Sequence, residues 1–169
     1  MNPADEIVAI VDDRNRVVGS APRWDMRRNR LPHRSTYILV FNSRGDLCVQ
    51  KRTATKDVFP GHYDIAAGGV VLAGETYEAG ARRELAEEVG IRGVPLAHQF
   101  VFHYADAYTQ VWGSVFSCVY DGELVLQETE VESAAFMPVA DVLSHAERAP
   151  YTPDGLYVLR RYLHSIAAP

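Results

Sequence analysis

Cysteine is scarce in this chain: Cys48 and Cys118 are the only two among 169 residues. Each lies inside an apolar, strand-like segment, which points to two buried thiols in a reducing compartment rather than a disulfide framework or a thiolate nucleophile. Long hydrophobic runs are missing too. No apolar stretch approaches the roughly 20 residues that span a bilayer, and the opening MNPADEIVAIVDD lacks the basic start of a secretory leader. The expectation is a cytoplasmic protein. Nor is there an excess of basic charge. The formal net charge is −5, which speaks against general affinity for nucleic-acid backbones or anionic membranes, since both rest on clustered Lys and Arg. One local basic run, Arg23, Arg27, Arg28 and Arg30, is offset elsewhere. Repeats and low-complexity segments are absent.

What is present suffices for one core. With 47% hydrophobic residues the chain is long enough for a single compact domain over 1–169 and too short for two large ones. Residues 6–12 and 16–19 flank Asp13-Arg14-Asn15 as a small leading hairpin, and 24–29 form a short helix. Residues 36–42 and 47–52 surround the turn-forming Ser43-Arg44-Gly45-Asp46 as a second hairpin. Strands are expected over 62–66, 96–104, 110–120 and 134–137, and helices over 138–145 and 152–166. Oligomeric state is not legible.

The stretch with chemistry is 69–91, GVVLAGETYEAGARRELAEEVGI. Gly68-Gly69 and Gly74 suit a tight loop feeding a helix. Thr76 can cap that helix, Ala81, Leu85 and Val89 recur as a buried stripe, and Gly90 stands where a left-handed C-cap is expected. The opposite face carries Glu84, Glu87 and Glu88, which project together at i, i+3 and i+4. Like charges so placed repel, and a hard divalent cation such as Mg²⁺, which takes oxygen ligands, would relieve them. A solvated acidic face is the plainer alternative.

At this point the chain resembles the Nudix hydrolase family. Its box runs Gly, five residues, Glu, seven residues, then Arg-Glu-apolar-x-Glu-Glu-x-Gly-apolar, and Gly69, Glu75, Arg83, Glu84, Leu85, Glu87, Glu88, Gly90 and Ile91 match every specified position. The resemblance implies an α/β/α sandwich with a mixed sheet. It also implies metal-assisted attack of water on a diphosphate linkage, with Mg²⁺, or Mn²⁺ in its place, as cofactor. The substrate would be a small-molecule diphosphate, a nucleoside di- or triphosphate or a nucleoside diphosphate derivative. Arg83, Glu84, Glu87 and Glu88 are then the catalytic residues, the three carboxylates holding metal and Glu84 open between ligand and base. Arg83 and Glu75 are equally readable as an ordinary ion pair or as groups that orient the acidic cluster. Gly68 and Gly69 let backbone approach the metal.

A second cluster, Gln50 to Gly61, resembles the isopentenyl-diphosphate isomerase branch of the same superfamily together with Leu31-Pro32-His33-Arg34. Arg52 and Lys56 match an Arg-x-x-x-Lys segment that holds the substrate diphosphate, against the plainer reading of solvated turn charges. The branch also implies that residues 1–33 are an amino-terminal extension shaping the pocket. His33 matches a metal-ligand histidine there, although a lone His is more often a packing residue. The isomerase chemistry itself is not encoded: residues 64–70, Asp-Ile-Ala-Ala-Gly-Gly-Val, contain neither the Cys nor the His it needs, and Tyr108-Thr109-Gln110-Val111 replaces its Glu-x-Glu. Isomerase is the alternative, and a non-catalytic diphosphate-binding module a third. Among Glu128, Glu130 and Glu132, before the last strand, one could supply a further ligand or base. Tyr104, Tyr108 and Trp112 could stack on a nucleobase, though strand aromatics are usually core.

Overall fold

A computed structural model describes residues 1–168. After a short turn at Pro3–Asp5 come β1 (Ile7–Val11), β2 (Val17–Pro22) and α1 (Arg23–Arg28). They are followed by β3 (His33–Phe41), β4 (Leu47–Arg52), β5 (Tyr63–Asp64) and α2 (Tyr77–Val89). The chain ends with β6 (Ala97–Ala105), β7 (Gln110–Val119), β8 (Val131–Met137), α3 (Val139–Ala146) and α4 (Pro153–Ala167).

β3 is the centre. It pairs in parallel with β7 from His33–Val111 to Phe41–Val119, while every other strand pairing is antiparallel. Successive side chains of a strand face opposite ways, and in β3 both faces are covered. Tyr37 and Leu39 point into a core closed by α3 and α4 through Val142, Val158 and Leu159. Ile38 and Val40 point into a second core closed by α2 through Ala81, Leu85 and Val89. Helix, sheet, helix is therefore the layering: an α/β/α sandwich with a mixed sheet, as the sequence predicts. Burying a Leu such as Leu85 contributes roughly 1.5–3 kcal/mol, which identifies packing rather than helix propensity as what fixes α2.

The expected second hairpin needs correction. β3 and β4 pair at Phe41–Leu47 and then part. One edge of β3 is taken by β7, and the other by residues 67–71, where the Ile38 amide bonds the Ala67 carbonyl at 2.7 Å and the Thr36 amide bonds the Gly69 carbonyl at 2.9 Å. β4 pairs instead with β8 and β5. The strand expected over 62–66 shrinks to Tyr63–Asp64, because beyond it the chain leaves β4 for β3. Among the described residues no helix is long and apolar enough to cross a membrane.

Candidate functional site

The loop at residues 67–71 and the face of α2 are locked together by sequence-local means. The Thr76 hydroxyl accepts from the Ala79 amide at 3.1 Å, and Gly90 closes the helix at φ 74°. Glu75, one residue before the cap, accepts from the Leu72 amide at 2.9 Å. The Arg83 guanidinium then grips Glu75 twice, Nε to Oε1 at 2.7 Å and Nη2 to Oε2 at 3.1 Å. The same guanidinium donates to the Val70 carbonyl at 3.2 Å and to Glu84 at 2.7 Å, with Glu87 farther off at 3.4 Å. Burial works against the charge of Arg83, yet Glu75 and Glu84 hold its pKa above the ordinary value. This is a half-buried, bidentate hub rather than an exposed pair.

Glu84 and Glu88, one turn apart, both lie on Gly68-Gly69. A Cβ on Gly69 would come within 2.7 Å of the Glu84 carboxylate, and the Gly68 amide donates to Glu88 Oε2 at 3.2 Å. Glu88 is 6% exposed; burial, with the charge of Glu84 second, pushes its pKa up to about 8. Burial also raises Glu84, against the pull of Arg83. Glu87 stands apart, its side chain 48% exposed, so of the three acids two converge tightly and one sits at the rim. Among the described residues no group of three or more His, Cys, Asp or Glu side chains is placed to hold a metal ion by itself.

Gly68 and Gly69 are also one wall of a cavity of about 90 Å³. Arg52 and Lys56 enter it from the end of β4 and the loop after it. Arg52 is already engaged, donating through Nε and Nη2 to the Val58 carbonyl at 3.2 and 2.8 Å and standing 3.6 Å from Asp64. Lys56 is ion-paired with Glu130. Of the other loop acids, Glu128 is exposed, and Glu132 belongs to β8 rather than preceding it, 3.3 Å from Lys51.

Four charged groups outside the site residues expected from the sequence line the same cavity. Arg23 and Arg27 do so from α1, so the basic run set aside as offset is partly a site feature; its signal was the i, i+4 spacing. Asp64 and Asp154 are the other two. Tyr37 donates to Asp154 at 2.7 Å, and burial, with Arg52 opposing and Asp154 reinforcing it, raises Asp64 to about 6. The Thr152 hydroxyl is near enough to favour the charged form of Asp64 yet outside hydrogen-bonding geometry. His33 is buried in the cavity wall, its Nδ1 on the Leu31 carbonyl at 3.0 Å. Burial, then the charge of Arg27, lowers its pKa to about 4, and so cationic a corner disfavours a metal ion. Of the aromatics, Tyr104 packs on Tyr157 and Trp112 on His103. Tyr108 is exposed and meets the cavity-lining Phe59 edge-on at 5.8 Å.

The NUDIX domain family model matches residues 31–161. The chain belongs to the Nudix hydrolases. It is 46% identical to an uncharacterized Nudix hydrolase of Pseudomonas aeruginosa over 94% of each chain. With the Nudix hydrolase YfcD of Escherichia coli it shares 42% identity, over 94% of this chain and 87% of that one. A Deinococcus radiodurans crystal structure superposes with a TM-score of 0.81 at 24% identity, covering 93% of this chain and 99% of that one. The NUDIX domain of Shewanella oneidensis NrtR, solved in complex with ADP ribose, superposes at 0.63 with 16% identity, over 80% and 88%. Such Nudix relatives make the chain a hydrolase of pyrophosphate bonds, in a family that generally uses divalent cations. These relatives show the superfamily and not the isomerase branch, whose resemblance stays with the sequence of Gln50 to Gly61 and Leu31 to Arg34.

Proposed function

We propose that this Nudix hydrolase is a Mg²⁺-dependent pyrophosphohydrolase acting on a nucleoside di- or triphosphate or a nucleoside diphosphate derivative, with Mn²⁺ an acceptable substitute. The observation that carries the reading is the pair Glu84 and Glu88 crowded on the Gly68-Gly69 backbone at the wall of a cavity rich in cations. The donor set fits the ion: hard carboxylate oxygens, two of them against a backbone patch free of any Cβ, which suits an ion that keeps waters and substrate phosphates among its ligands. When bound, the ion supplies Lewis-acid stabilisation of developing phosphoryl charge and an acidified water.

The chain's own residues do the rest. Glu84, Glu87 and Glu88 hold the ion, with Glu84 open between ligand and base. Arg83, fixed by Glu75, presents Glu84 and Glu87 at a set angle. Lys56 and Arg52 face the diphosphate with positive charge, Arg52 also securing the Val58 carbonyl of the overlying loop. The ADP ribose complex of NrtR supports a fold able to accept such a molecule. We further infer a single domain over 1–169 with residues 1–33 as extension. We place it in the cytoplasm, with a small-molecule diphosphate as partner rather than nucleic acid or a membrane.

A panel of nucleotides with diphosphate linkages, assayed with Mg²⁺ for phosphate or pyrophosphate release, tests this. At least one should be cleaved, turnover should vanish in excess chelator, and Glu87→Gln or Glu88→Gln should lower it by orders of magnitude with the fold retained. Isopentenyl diphosphate should give no dimethylallyl isomer by NMR, because Asp64 to Val70 offers no thiol or imidazole to serve as the acid and base that chemistry requires. Isomer formation with every nucleotide untouched would reverse the assignment.

A further inference from the structure

Arg23 and Arg27 stand one helical turn apart on α1, outside the stretch matched by the family model, and both face the cavity. Among the described residues the only hydrogen-bond partner of the Arg27 side chain is Asp57, reached through Nε at 3.3 Å. Its two terminal amino groups have none, although the side chain is just 23% exposed. Arg52, by contrast, spends its fork on Val58 and Asp64. The guanidinium still able to offer a planar pair of donors to an oxyanion is therefore that of Arg27.

Asp57 is the second observation. Its carboxylate bridges Arg23 and Arg27, at 3.2 and 3.3 Å. Burial would push Asp57 up, but Arg23, Arg27 and Lys56 together pull it down to about 2. The corner thus already holds one internal anion. Space gives the third. A cavity of about 90 Å³ is too small for a nucleotide, since ligand pockets run to roughly 300–1,000 Å³. Arg23 and Lys56 also line a neighbouring recess of about 610 Å³, bounded by residues 1–4, Thr55, Asp57 and Glu130. A ligand that occupies both spaces has to pass the charges they share.

We propose that Arg27, with Arg23 beside it, forms a second anion subsite that takes a phosphoryl group of the substrate, and that Asp57 occupies it in the unliganded chain. The proposal rests on the reading of this cavity as a diphosphate site and adds to Lys56 and Arg52 a phosphate grip supplied by the amino-terminal extension. Asp57 is then a competitor for the incoming group, and its withdrawal opens the inner cavity to the recess.

Calorimetric titration of the full chain with inorganic pyrophosphate in chelator, and with its non-hydrolysable analogue methylenediphosphonate in Mg²⁺, reads binding without turnover. Arg27→Gln should weaken binding at least tenfold, and Arg27→Lys should recover part of the loss, since charge returns without the fork. Asp57→Asn should tighten binding several-fold, a sign opposite to that of a residue which merely staples the loop. Arg44→Gln, on an exposed turn, should change nothing. Wild-type affinity in Arg27→Gln, weaker binding in Asp57→Asn, or no binding under either condition would overturn the proposal. Should Arg27→Gln fail to fold, Arg27→Lys and Asp57→Asn decide alone. Failure of the hydrolase reading looks different: every nucleotide uncleaved while pyrophosphate binding still responds to Arg27.

Discussion

Gly68 is held at φ +144°, and a methyl group there would overlap the Thr36 carbonyl. Gly69 has ordinary backbone but no room beneath Glu84. The two glycines should therefore fail in different ways. Gly68→Ala adds backbone strain of about 1–3 kcal/mol to the overlap and should lower the melting temperature markedly, as a thermal scan would show. Gly69→Ala should leave melting closer to wild type while cutting turnover at least tenfold, because it displaces Glu84. Glu88 gives a pH signature. Its folded pKa, about 8, lies above the model-peptide carboxylate value, so between those two values the folded chain holds a proton that the unfolded chain has released. Stability of the metal-free protein is then greatest at the acid end of that window and falls as pH rises through it. Melting scans in chelator from pH 5 to 8.5 should show that decline, and Glu88→Gln should make it shallower, leaving the part that the raised Asp64 and Glu84 contribute. A slope identical in the variant would remove Glu88 as its source.

α2 was readable in the sequence because its start, stripe and stop are all carried by its own residues: Thr76, then Ala81, Leu85 and Val89, then Gly90. Those features have separable costs. Thr76→Ala should destabilise by about 1 kcal/mol, or roughly 2–4 °C for a chain of this size, with kcat unchanged. Leu85→Ala should cost about 2–5 kcal/mol, which denaturant titration would resolve. Strand partners were far less readable. Which edge of β3 meets β7 and which meets residues 67–71 is decided by contacts distant in sequence, so adjacency suggested a full β3–β4 hairpin where a single residue pair exists. The same limit hid Arg23 and Arg27. Nothing local says that α1 points at a loop that carries Asp57 some thirty residues later, whereas Glu84 and Glu88 sit on the element that announces them.

At the scale of the whole molecule, the leading strands and α1 are built into the site rather than appended to it. Val8 and Met26 share a buried cluster with Val70. The Ala9 amide bonds the Val71 carbonyl at 3.1 Å, and the Ala73 amide the Ile7 carbonyl at 2.9 Å. Removing residues 1–30 should therefore loosen residues 67–73, seen as faster amide hydrogen exchange there and a lower melting temperature. Unchanged exchange in that loop would mean that α2 alone holds it. The two cysteines, deep on the α2 side of the sheet, offer a way to time such opening. Burial, with Cys118 adding to it at Cys48, raises Cys48 to about 12 and Cys118 to about 11, so neither presents a thiolate to reagent while the sandwich is closed. Alkylation of the native protein thus becomes a stopwatch for global unfolding: its rate counts how often the chain comes apart, and any ligand that grips the folded form slows the clock.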